Sequence, residues 1–148
     1  MNVKQYLRKA YRLNELINSD IAELDELRKL ATSLSSPNLS GMPSSGTRST
    51  EAPFAKCIQK IVDLENEINA EIDRLVDLKK EIRDVINTAP TDEQRLVLKY
   101  RYIEFLKWEA VASKIDMSLK HVHRIHNEAL KNIKITYIDT EKTLYDTI

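Results

Sequence analysis

The chain has only two glycines and four prolines in 148 residues, and aromatic residues make up 6%. Sheet proteins need turn residues together with β-branched and aromatic side chains, so this shortage argues for long helices. A single cysteine, Cys57, excludes a disulfide within the chain. No apolar run approaches the length of a membrane span, and the N-terminus lacks the apolar stretch of a signal peptide. These absences predict a soluble, cytoplasmic protein with no membrane partner. Lys and Arg total 23, as do Asp and Glu, so no net charge marks the whole chain as a nucleic-acid binder. Nucleophile elbows, phosphate loops and Cys/His pairs are missing too. The chain is expected not to be an enzyme and to need no cofactor.

What is present is charge, at 31% of residues, and apolar periodicity. Residues 3–34 carry a heptad with Val3, Ala10, Ile17, Leu24 and Ala31 at one position and Tyr6, Leu13, Asp20, Leu27 and Leu34 at the other. Leu7 and Ile21 widen this stripe. A second heptad starts at Phe54. It has Phe54, Ile61, Ile68, Leu75 and Ile82 at one position and Cys57, Leu64, Glu71, Leu78 and Val85 at the other, flanked by Ile58, Ile72 and Ile86. Each stripe is apolar but for one acid, Asp20 or Glu71. Between them, residues 35–53 are rich in Ser, Pro, Thr and Gly and read as a flexible loop. Segments 1–34 and 54–89 therefore predict an antiparallel helical hairpin. Two helices leave apolar surface open. A second copy would cover it, making the protein a homo-oligomer; closure by the C-terminal region is the monomeric alternative.

Residues 90–134 read differently. Pro90 stops the hairpin, and Thr91-Asp92-Glu93-Gln94 is a capping-box sequence in which Gln94 can reach back to the cap. The helix it starts is expected to bury Leu96, Val97, Tyr100 and Ile103. A short helix from Trp108 follows, with Val111, Ala112 and Ile115 inward and Trp108 anchoring its start. Ala112 is small enough to let two helices cross closely. Ile115-Asp116-Met117 forms a turn in which Asp116 takes the left-handed position usual for Gly. Ser118 then caps a second helix. A support helix, a crossing helix, a tight turn and a capped helix in this order make a helix-turn-helix.

Between Ser118 and Lys134 the charged residues are Lys120, Arg124, Lys131 and Lys134 against Glu128 alone. With Val122 at the centre of the buried face, Ile125, Ala129 and Ile133 lie beside it and His126 near it. Lys120, Arg124, Asn127 and Lys131 fall on the opposite face, with His121 and His123 on its edges. Arg, Lys and Asn are the side chains that read guanine and adenine edges. The three histidines offer no set of metal ligands with a recognisable spacing, so no metal site is expected. Residues 135–148 contain Ile135, Tyr137, Ile138, Leu144 and Tyr145 but no clean period.

Residues 91–133 resemble region 4 of bacterial sigma factors through Leu98, Arg101-Tyr102, Glu109-Ala110-Val111-Ala112, Ser118, Val122 and Arg124. Lys107 stands where that pattern carries a Ser or Thr cap, and Asp116 where it carries Gly. The N-terminal part is similar to small phage and prophage proteins of the ArpU and RinA kind. It shares Lys4-Gln5-Tyr6-Leu7, Leu27 to Ser33, Lys60 to Glu65 and Glu71 to Lys79 with them. The resemblance implies a regulator of phage late transcription that binds double-stranded DNA and meets RNA polymerase. It points to Leu119, Lys120, His121 and His123 as DNA-contacting residues, with Ser118 on a phosphate. The helical wheel adds Arg124, Asn127 and Lys131. Two other functions suit the same layout: a DNA-packaging component like a small terminase subunit, and a protein-interaction module without DNA binding.

Overall fold

The computed structural model describes residues 1–35 and 51–134. Among the described residues there are six helices and no strand. They are α1 (Val3–Leu7), α2 (Lys9–Ser35), α3 (Glu51–Ile86), α4 (Asp92–Tyr102), α5 (Trp108–Ile115) and α6 (Leu119–Asn132). The protein is all-α, as its composition predicts. The first heptad is not one unbroken helix: α1 ends at Arg8, whose ψ of −6° departs from the helical value. Asn2 and Gln5 form a reciprocal capping box at its start, with the Asn2 side chain accepting from Gln5 N at 2.8 Å and Gln5 accepting from Asn2 N at 3.0 Å. The expected loop is shorter than 35–53. Ser35 still belongs to α2, and Pro53 lies in the first turn of α3, where its missing N–H would have no intrahelical partner anyway. The rest of that loop, and the segment 135–148, lie outside the described residues.

The chain divides into two compact units, Asn14–Arg74 and Met1–Leu13 with Leu75–Ile148. In the first, α2 and α3 bury Ile17, Leu24, Ala31, Cys57, Ile61, Leu64 and Ile68. The Cys57 thiol donates to the Leu27 carbonyl at 3.5 Å, and Arg28 pairs with Glu65 at 2.9 Å. Ile21, Ile58 and Ile72, expected to widen the stripes, stay about two-fifths exposed (39%, 39% and 41%). Two helices bury one seam each, and residues nearly a quarter-turn off that seam have no third helix to meet.

The two acids that interrupt the heptads meet each other. Asp20 is hydrogen-bonded to Glu71, which is 3% exposed and whose Oε2 has no hydrogen-bond partner. Burial pushes the Glu71 carboxyl above its usual range. The Asp20 hydrogen bond and the charges of Asp20 and Glu67 push the same way, against Arg74. A raised carboxyl pKa contributes stability that is present in acid and is lost as the pH rises through the folded-state value. Glu71→Gln is therefore expected to raise the stability of this unit at neutral pH. Urea unfolding should show the gain shrinking as the pH is lowered. A variant less stable than the parent at neutral pH would contradict this assignment.

In the second unit, α4 is buried on two sides. Leu98 and Tyr102 join Tyr6, Leu7, Ala10, Ile82, Val85, Ile86, Ala129 and Ile133 in one cluster. Val97 joins Val111, Ala112, Val122 and Ile125 in the other, with Trp108 packed against them. The expected single face of α4 fails for this reason: Leu96 is 41% exposed and Tyr100 half-buried, while Leu98 and Tyr102 are buried. Thr91 caps α4 as expected, accepting from Gln94 N at 3.2 Å. The Gln94 side chain does not reach back. It is buried, and its Oε1 accepts from Asn132 at 3.4 Å, joining α4 to the end of α6. Lys134 N donates to Thr88 Oγ1 at 3.0 Å, tying the other side of that end to the chain just after α3.

Candidate nucleic-acid interface

The connection between α5 and α6 sets the crossing of the two helices. Asp116 adopts φ 53° and ψ 51°, the left-handed conformation expected of it. Its N–H donates to Ser113 O at 3.3 Å, and Met117 N–H donates to Ala112 O at 3.1 Å. This pair of bonds satisfies the last carbonyls of α5 in the manner of a Schellman motif. A side chain in this conformation costs on the order of 1 kcal/mol, so Asp116→Gly should stabilise the unit by about that much. A rise in the unfolding midpoint checks it; an unchanged or lower midpoint would mean that the Asp116 side chain offsets its own strain. Lys107 precedes α5 in extended conformation and gives it no side-chain cap.

Ser118 caps α6, its Oγ accepting from His121 N at 3.2 Å. Val122, Ile125, His126, Ala129 and Ile133 are buried, as the helical wheel predicts. Lys120, Arg124, Asn127 and Lys131 are all exposed, and so is Leu119. At 100° per residue the first four lie within an arc of about 60°. Among the described residues none of Lys120, Arg124 and Lys131 forms a salt bridge. His121 sits beside this strip. Arg124 Nη2 donates to its Nδ1 at 3.2 Å, so Nδ1 carries no proton and the guanidinium is oriented by it. His123 is turned away from the strip. Its ring packs 4.6 Å from the Trp108 ring and is half-buried.

Behind the strip lies a polar assembly that helical periodicity alone did not predict. The Tyr102 hydroxyl and His126 Nε2 are 2.7 Å apart in the interior. The Trp108 ring stands 4.6 Å from His126, and the Arg101 guanidinium lies 4.6 Å over Trp108. Burial pushes the Tyr102 hydroxyl up to about 12, with Arg101 and Arg8 opposing. Burial pulls His126 down to about 4, aided by Lys4, His123 and Arg101 and opposed by a hydrogen bond with Asn127. Both groups are thus neutral near pH 7. The assembly ties the middle of α6 to α4 and α5, which fixes the orientation of its outer face. The signal available in the sequence was His126 on the buried side of the wheel, where a polar ring needs a partner.

Charge is unevenly divided between the two units. Counted over the sequence, Asn14–Arg74 holds eleven Asp and Glu against six Lys and Arg, while the remaining residues hold seventeen Lys and Arg against twelve acids. The zero net charge is the cancellation of an acidic hairpin unit by a basic unit that contains α6. No group of three or more His, Cys, Asp or Glu among the described residues could hold a metal ion. No described helix is long and apolar enough to cross a membrane.

A family model described as "Protein of unknown function (DUF722)" matches residues 12–135. No curated protein and no solved structure matches the chain.

Proposed function

The chain belongs to the DUF722 family, and from that footing we propose that it is a sequence-specific regulator that binds double-stranded DNA with α6 in the major groove. The observation that carries this reading is the exposed strip of Lys120, Arg124, Asn127 and Lys131 on a helix capped by Ser118. It supplies base-reading side chains and cations free of ion pairs, on an element whose other face is locked by packing. The positive balance of this unit supports the same reading, since phosphate contacts require local and not total charge. The resemblance to phage late-gene regulators supports late transcription as the setting. The acidic hairpin serves self-association or contact with RNA polymerase. Leu16, Leu30, Ile58, Val62 and Ile72 are exposed on it and support self-association.

Selection of bound fragments from random double-stranded DNA tests the proposal. The expected result is an enriched motif whose affinity falls steeply with salt, because several phosphates displace counterions. Failure to enrich any motif, at low salt as well, would leave an interaction module and sink the DNA reading. A ring of many subunits in solution would instead favour a packaging role.

A further inference from the structure

A concave site lies among Arg8, Tyr11, Arg101, Tyr102, Phe105 and Lys107, with a volume of about 280 Å³. Its lining holds three cations, three aromatic rings and no acid. Among the described residues none of the three cations forms a salt bridge. Arg8 and Arg101 both act on the Tyr102 hydroxyl, so their positive fields converge at this wall. Arg101 is held in place: Nη1 donates to Leu106 O at 2.9 Å, and the guanidinium plane rests on Trp108.

Phe105 adds a separate observation. Its φ is 60°, a left-handed conformation that costs a bulky residue about 1–2 kcal/mol. Its ring is fixed edge-on against Tyr11, with centroids 5.7 Å apart at 70°. Strained residues of this kind concentrate at ligand clamps. Here the strain holds an aromatic wall beside Arg8, Arg101 and Lys107, with the Lys79 ammonium 4.8 Å over one face of the Phe105 ring.

We propose that this cavity binds a phosphomonoester joined to a nucleobase, the chemistry of a nucleoside monophosphate. Arg8, Arg101 and Lys107 hold the phosphate; forked guanidinium groups match its oxygens in geometry and charge. Tyr11 and Phe105 receive the base, one ring stacking on its flat face and the other meeting its edge, since the two rings stand 70° apart. The volume lies just below the range of about 300–1,000 Å³ for small-molecule sites, which limits the occupant to one nucleotide and excludes a dinucleotide. A free nucleotide and the 5′-phosphorylated end of a DNA strand carry the same chemistry. The site does not depend on the proposed groove contact of α6.

The test uses the full chain and its only tryptophan, Trp108, whose emission reports on the Arg101 guanidinium resting against it. Titration calorimetry provides a second readout. The ligands are AMP, adenosine, inorganic phosphate, and one oligonucleotide with and without a 5′-phosphate. AMP is expected to saturate with a Kd of about 1 mM or tighter, adenosine not to bind, and phosphate to bind about tenfold or more weakly than AMP. Arg8→Ala and Lys107→Ala alter exposed side chains and should each weaken AMP about tenfold, with an unchanged circular dichroism spectrum. Stronger binding of the phosphorylated oligonucleotide than of its unphosphorylated form, beyond that of AMP, supports the site with a strand end as the source. Equal affinity for phosphate and AMP overturns the nucleotide assignment. No saturable signal from any anion, in emission or heat, overturns the site.

Discussion

Acidifying the protein from neutral pH to about pH 4 is expected to cost the unit containing α4, α5 and α6 roughly 3 kcal/mol through one residue, His126. The folded state holds His126 at about 4, whereas the unfolded chain returns it to 6.5. A depressed pKa contributes stability that is complete above the unfolded value and is lost as the pH falls through the folded one. Burial is the main cause, and Lys4, His123 and Arg101 lower it further. Protonation would also place a second donor against the Tyr102 hydroxyl, whose own proton is held by burial. His126→Gln can keep a hydrogen bond to Tyr102 without titrating. Urea unfolding of both proteins across this range should give a parent curve that falls more steeply than the variant's. Parallel curves would mean that the acid sensitivity comes from carboxylates elsewhere. His126→Leu leaves the Tyr102 hydroxyl unpaired and should lose about 1–3 kcal/mol near neutrality, where His126→Gln loses less.

The second large effect concerns DNA. Replacing Lys120 and Arg124 together with Ala is expected to weaken binding to a selected site by about 100-fold or more, since one well-formed base contact contributes about 1–3 kcal/mol. Discrimination between bases should fall with affinity. Lys131→Ala should act differently, weakening all sequences alike and lowering the salt slope by about one. Competition binding against mutated sites measures both. Unchanged affinity in the double variant, with its fold intact, would remove α6 as the reading helix. Both side chains lie outside the buried clusters, so the fold has little cause to change.

These effects were not equally legible in the sequence. The α6 wheel was readable because one strong stripe fixes the helix phase, and Val122, Ile125, Ala129 and Ile133 are buried together. Ser118 and Asp116 were readable because caps and left-handed turns restrict residue type locally. The phase of α4 was not. A helix buried on two sides has no single stripe, so periodicity puts Leu96 inside and gives no place to Leu98 and Tyr102, both of which are buried. Gln94 misled for a related reason: a capping box is a local bond, and the tertiary bond to Asn132 displaced its second half. Asp20 and Glu71 were visible as interruptions of two heptads. Their meeting depended on hairpin register, which no local pattern records. The cavity beside Phe105 gave no signal, because its lining comes from two stretches of chain far apart in sequence.

The thiol of Cys57 supplies an internal clock. It is the only sulfhydryl in the chain and is 5% exposed, with its proton directed at the Leu27 carbonyl. An alkylating reagent reaches it only when α2 and α3 separate there, so the modification rate divided by that of a free thiol measures the fraction of time the seam stands open. That ratio follows the breathing of the hairpin unit alone, without a denaturant. Repeated at several protein concentrations, it would also reveal whether a second copy slows the breathing.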